Sequence, residues 1–261
     1  MDKELSSVHY DKYLQLNKIL SAQKLRSGEF DQPAHDEMLF IIVHQVYELW
    51  FKEILHDLDS VMKLFSEGAV LERDLGTAIA RLDRVVKIQK ILVDQIDILE
   101  TMTPLDFLDF RHYLLPASGF QSFQFRQLEV MLGLKRENRI SYTQCAYSGV
   151  FSEGEQKVLE GLEKGDSMLS LVEQWLERIP FLRIEGFNFI EEYQKSVHSM
   201  IRKESQAIDK ADYISDQEKA LRKRMLNETN AYFSSIFNEQ EHIGKLEQGQ
   251  LKFSHRATIS A

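Results

Sequence analysis

Proline is rare in this sequence and glycine is not much commoner: 4 and 12 residues out of 261. A β-sandwich or barrel turns the chain about every 8–12 residues and needs turn chemistry to match. The scarcity excludes both and predicts few, long helices. Cysteine occurs once, at Cys145, which rules out an internal disulfide and suits a reducing compartment. The purest apolar run, Met38 to Val43, is far short of the roughly 20 residues that span a membrane. Basic residues are outnumbered, 32 against 41 acidic, for a net charge of −9, which argues against a general nucleic-acid surface. The first residues, MDKELSSVHY, are acidic and polar and do not read as a signal peptide. The expectation is a cytoplasmic protein with neither nucleic acid nor membrane as partner.

What is present is an ordinary globular balance, 43% hydrophobic and 28% charged, which excludes wholesale disorder. A chain of this length buries a sizeable core without staples. We expect an all-α protein, with residues 1–261 forming one helical domain. No Gly or Pro interrupts Ala34–Glu67, and Asp36 can cap a helix there. At about 100° per residue, Phe40, His44, Tyr47, Phe51, Leu55, Leu58 and Met62 share one side. Ile42, Val46 and Leu49 lie on the opposite side, which predicts an interior helix. Further helices are expected over Leu75–Glu100, Pro104–Leu114, Phe120–Leu132 (ending at Gly133), Ser152–Glu163 and Ser167–Arg178. Lys135–Gly149 reads as irregular, and Pro180 and Gly186 frame a connector. Phe187–Ile243 reads as two antiparallel helices interrupted at Asp212–Asp216, with the mixed charges of Arg202–Arg224 on a solvated face.

Several residues could carry chemistry. His44 follows five consecutive apolar residues and sits one turn after Phe40. It is either a core histidine bonded to a backbone carbonyl or a pocket imidazole that meets a ligand. Phe107, Arg111 and Leu114 are spaced i, i+4, i+7 on one helix face. An arginine there needs an anion, either a protein carboxylate such as Asp109 or a ligand carboxylate gripped bidentately. Ser118 and Gly119 form either an ordinary turn or a helix start with exposed N–H groups. Tyr10, Tyr13 and Leu14 make a short aromatic stripe, suited to packing within the chain or onto another subunit. Two Glu-x-x-His pairs, Glu53/His56 and Glu239/His242, give a rival reading as a di-iron carboxylate bundle. A non-catalytic protein that merely binds an amino acid is a third.

Two segments together resemble one family. They are His35-Asp-Glu-Met-Leu-Phe40-Ile-Ile-Val-His44-Gln-Val-Tyr-Glu-Leu-Trp50-Phe-Lys52 and Asp106-Phe-Leu-Asp-Phe-Arg111-His-Tyr-Leu-Leu-Pro-Ala-Ser-Gly-Phe-Gln-Ser-Phe-Gln-Phe-Arg126. Both resemble the tryptophan 2,3-dioxygenases, and Tyr10-Asp-Lys-Tyr13-Leu14 and Gly186-Phe-Asn-Phe189 look like further landmarks of that family. The resemblance covers nearly the whole chain, up to Ser254-His-Arg-Ala257. It implies an all-helical, homotetrameric enzyme that uses haem b and O2 to oxidise L-tryptophan to N-formylkynurenine. By position it implies that His44 meets the indole N–H, that Phe40 and Phe107 flank the ring with Leu114 nearby, and that Arg111 binds the carboxylate. Ser118 and Gly119 would border haem and substrate. Residues 1–33, through Tyr10, Tyr13 and Leu14, would close the pocket of a neighbouring subunit. The family's axial histidine and its Gly/Ser-rich loop lie after the Ser-x-Arg-Ala landmark, so the axial ligand is expected beyond residue 261. The 261 residues alone are then expected to bind haem weakly and turn over little.

Overall fold

The structure is a computed structural model and describes residues 7–66, 70, 72–139, 151–178, 183–184 and 186–260. Cys145 and Pro180 lie outside the described residues. The chain separates into two compact units, Met1–Met168 and Leu169–Ala261.

The first unit opens with two short helices, α1 (Tyr10–Leu14) and α2 (Leu16–Ile19), neither of which buries a residue. A 3-10 turn (Ser27–Phe30) leads to α3 (Glu37–Ser66), α4 (Glu72–Asp94), α5 (Ile96–Leu99) and α6 (Pro104–Arg111). A second 3-10 turn, His112–Leu114, precedes α7 (Phe123–Leu132) and α8 (Glu153–Lys164). The long breaker-free run thus becomes the longest described helix, and α4 and α7 pack against it. The core joins Phe51, Ile54 and Leu58 of α3 to Val85, Ile88 and Leu92 of α4 and to Leu128 and Met131 of α7. Tyr47 donates from its hydroxyl to the Leu92 carbonyl, and Gln124 Nε2 donates to the Glu48 carbonyl at 2.9 Å, so polar ties accompany the apolar ones.

The two-sided apolar pattern of α3 is only half satisfied. The Phe51/Leu58 side is buried, but Ile42 and Leu49 remain 43% and 52% exposed. Helices α4 and α7 cover one side and its flanks. The Val46/Leu49 side lines an open groove of about 660 Å³ with Trp50, Ile88 and Ile91. This corrects the expectation of a wholly interior helix for the described residues.

Chain ends of the helices follow their local chemistry. Thr103 and Asp106 form a capping box with Pro104 in the first turn of α6. Helix α7 starts at Phe123 rather than Phe120 because the Ser122 hydroxyl accepts from the Phe125 N–H at 3.1 Å, which caps the helix there. Ser118 caps only the 3-10 turn Gly119–Gln121. Gly133, at φ +96°, ends α7 in the left-handed conformation that glycine adopts without steric cost.

The second unit takes in α9 (Met168–Glu177, beginning one residue before the boundary). It continues with a two-residue strand pair, β1 (Arg183–Ile184) and β2 (Phe187–Asn188), antiparallel in register Arg183↔Asn188. Then come α10 (Phe189–Lys210), α11 (Asp216–Phe237), α12 (Glu239–Glu247) and α13 (His255–Ser260). The break expected at Asp212–Asp216 is present, and Ser215 caps α11. A second break, not expected, falls at Asn238, whose Oδ1 accepts from the N–H groups of Gln240 and Glu241 at 3.1 and 3.2 Å. An asparagine side chain that takes up backbone donors competes with helix continuation. The mixed-charge stretch is solvated as expected, with exposed pairs such as Arg222–Glu218 at 2.7 Å. No described helix is long and apolar enough to cross a membrane.

Candidate functional site

The site grows from two helices of the first unit. Glu37, Phe40 and His44 stand at i, i+3 and i+7 in the first turns of α3, and so share a face. Phe107, Phe110 and Arg111 occupy the last turn and a half of α6. That helix is short, so its stop and start matter. The Asp106 carboxylate accepts from the Thr103 N–H at 2.9 Å and from the Thr103 hydroxyl at 2.5 Å, while the Thr103 hydroxyl accepts from the Asp106 N–H at 3.3 Å. Those bonds hold the Asp106 carboxyl below the usual aspartate range.

The two helices bring four of the sequence-expected residues together. The Phe40 ring lies 4.1 Å from the His44 ring and 5.8 Å from the Phe107 ring, centroid to centroid. The Arg111 guanidinium carbon stands 5.8 Å from the Phe107 centroid, within cation–π reach. Phe110 is fully buried beneath both phenylalanines, edge-on to Phe40 at 5.5 Å and to Phe107 at 5.4 Å. It was not among the sequence candidates, although its spacing of three from Phe107 is a helical aromatic pair.

Both alternatives left open by the sequence can now be weighed. His44 Nδ1 sits 2.7 Å from the Phe40 carbonyl oxygen. A carbonyl only accepts, so Nδ1 carries a hydrogen, and in the neutral form of the ring the lone pair falls on Nε2. The backbone bond of a core histidine and the free nitrogen of a pocket histidine therefore coexist in a half-buried ring. Arg111 is also half-buried, and no carboxylate among the described residues pairs with it. Asp109, the protein partner considered for it, is exposed.

The remaining candidates are placed less closely. Leu114 is half-buried in the 3-10 turn after α6, and Ser118 and Gly119 are exposed in the next turn. Tyr10 and Tyr13 stand on α1 at 74% and 76% exposure, with Leu14 at 36%.

The structure does not build an iron site from the Glu-x-x-His pairs. Glu53 is ion-paired to Arg84 at 3.5 Å, and His56 is exposed. Glu239 is exposed, and His242 is fully buried with Nε2 donating to the Phe253 carbonyl at 3.0 Å. Among the described residues no three His, Cys, Asp or Glu side chains gather as a metal site. An i, i+3 pair recurs easily in an acid-rich helical chain, and here one member of each pair is exposed while the other has a local partner.

The family model for tryptophan 2,3-dioxygenase matches residues 1–261. A tryptophan 2,3-dioxygenase of Alteromonas mediterranea is 44% identical over 261 residues, covering 100% of this chain and 72% of that protein. One of Bdellovibrio bacteriovorus is 45% identical over 254 residues, 97% of this chain and 71% of its own length. One of Dictyostelium discoideum is 42% identical over 254 residues, 97% of this chain and 64% of its own length.

Proposed function

This chain belongs to the tryptophan 2,3-dioxygenase family, and on that premise we propose that it serves the oxidation of L-tryptophan to N-formylkynurenine. Both atoms of O2 are inserted across the indole C2–C3 bond, with haem b as cofactor. The observation that carries this reading is the half-buried Arg111, which no carboxylate among the described residues pairs with, set against an aromatic wall that includes His44.

Each residue has a task that its chemistry suits. Arg111 clamps the substrate carboxylate in a bidentate pair, which fixes the amino acid in register. Phe40 and Phe107 hold the indole between apolar faces and keep water away. His44 Nε2, the acceptor nitrogen of its ring, takes the indole N–H hydrogen bond. Phe110 backs both phenylalanines and so sets their spacing. The residues present fit a pocket that would hold haem b: flat apolar rings and one imidazole, with Ser118 and Gly119 as the residues that would border the group. Bound haem b supplies the dioxygen activation that these side chains lack. His242 and His255 have no role in this pocket, and each donates Nε2 to a backbone carbonyl, of Phe253 and Ile236. Tyr10, Tyr13 and Leu14 close the pocket of a neighbouring copy in a homotetramer, and the enzyme works in the cytoplasm.

Haem and iron analysis of the complete purified protein tests the proposal. The expected result is haem iron with a Soret band that L-tryptophan perturbs in the ferrous state. About two non-haem irons per chain, as a di-iron bundle requires, would overturn it.

A further inference from the structure

The carboxylate of Glu37 has no part in the chemistry assigned to the site, yet it is fully buried one turn before Phe40 and two before His44. Oε1 accepts from the Arg26 N–H at 2.7 Å, and Oε2 accepts from the Ser27 N–H at 3.0 Å and from the Ser27 hydroxyl. Ser27, buried as well, knits the loop that follows it. Its hydroxyl accepts from the Ala34 N–H at 2.9 Å and its carbonyl from the Gln32 N–H at 3.2 Å. A buried carboxylate with both oxygens bound to loop donors is a fixed attachment point.

The outer part of the same loop reaches the other half of the site. Phe30 stacks on Tyr113, centroids 4.7 Å apart and planes 18° from parallel, and the Tyr113 hydroxyl donates to Gln32 Oε1 at 3.0 Å. Tyr113 belongs to the 3-10 turn that directly follows Arg111, the last residue of α6. Helix ends fray unless something holds them. In α6, Thr103 holds the start, and the loop holds the turn just past the end.

We infer that residues 26–34 form a strap that positions Arg111 for a carboxylate ligand, with Glu37 as its fixed end and Tyr113 as its grip. Glu37, Phe30 and Tyr113 are positioning residues, not catalytic ones. The inference rests on Arg111 as the carboxylate clamp. It predicts a selective effect. Loosening the strap weakens recognition of the carboxylate, while Phe40, seated directly on α3, keeps its hold on the indole.

Titration calorimetry with L-tryptophan and with tryptamine, which lacks the carboxylate, tests this. The proteins compared are wild type, Tyr113→Phe, Phe30→Ala, Glu37→Gln, Arg111→Ala and the double variant Tyr113→Phe/Arg111→Ala. Each strap variant is expected to narrow the preference for tryptophan by about fivefold, with tryptamine affinity unchanged and no further loss in the double variant. Tyr113→Phe leaves the buried Glu37 network intact and carries the test should Glu37→Gln not fold. Equal loss for both ligands, or an undiminished effect in the Arg111→Ala background, overturns the strap and leaves the clamp standing. Unaltered preference in Arg111→Ala overturns both.

Discussion

The His44 ring lies 4.1 Å from the Phe40 ring and returns a hydrogen bond to the Phe40 carbonyl at 2.7 Å, so one helical turn supplies both an aromatic face and an oriented imidazole. The backbone bond settles which nitrogen carries the hydrogen. In the neutral ring that leaves Nε2 as the acceptor and ties a ligand preference to a local feature of α3.

The consequence is measurable by comparing L-tryptophan with 1-methyl-L-tryptophan, which has no indole N–H. His44→Ala should narrow the preference for the unmethylated ligand by about two- to tenfold, the value of one neutral hydrogen bond. It should also lower turnover without abolishing haem binding. Equal discrimination in variant and wild type would remove the acceptor role.

Thr103 supports the site from the other end of α6. Thr103→Val deletes the hydroxyl that caps the helix and accepts from Asp106. The Asp106 carboxyl is held low in the folded state, so its bonds stabilise the fold above the usual aspartate range. That contribution is lost as pH falls through the lowered folded value. Denaturant unfolding should therefore show the variant less stable at neutral pH, with the gap closing in acid. A gap that widens toward acid would contradict the assignment.

Tyr10 and Tyr13 touch little of their own chain. Replacing both by serine should leave the thermal midpoint of the isolated chain within a few degrees, as is usual for surface substitutions. If α1 completes the pocket of a neighbouring copy, tryptophan affinity should fall in the assembled protein. Unchanged affinity in the assembled variant would place the stripe elsewhere.

Leu58 is fully buried among α3, α4 and α7. Leu58→Ala should cost about 2–5 kcal/mol by chemical denaturation, the loss expected when a closed core is left with a cavity. A cost below about 1 kcal/mol would mean that the neighbouring helices collapse into the space.

The sequence by itself determined that the protein is helical, where most helices stop, and which residues were worth watching. Scarce Gly and Pro leave long runs with no local alternative to helix, and Ser, Thr and Gly at the right offsets mark the ends. His44 and Arg111 were legible because a polar group on an apolar face must find a partner. His44 finds its partner one turn back, at the Phe40 carbonyl, while Arg111 meets no carboxylate among the described residues. Sequence spacing relates residues within one helix, but Phe40 and Phe107 meet only because the fold brings the first turns of α3 to the last turns of α6. The same holds for Glu37, whose charge looks like an ordinary first-turn glutamate until the loop before α3 folds its N–H groups onto it. It holds for α3 as a whole, whose second apolar side reads as interior but stays open among the described residues. Periodicity records which side of a helix is apolar. Only the placement of neighbouring elements decides what covers it.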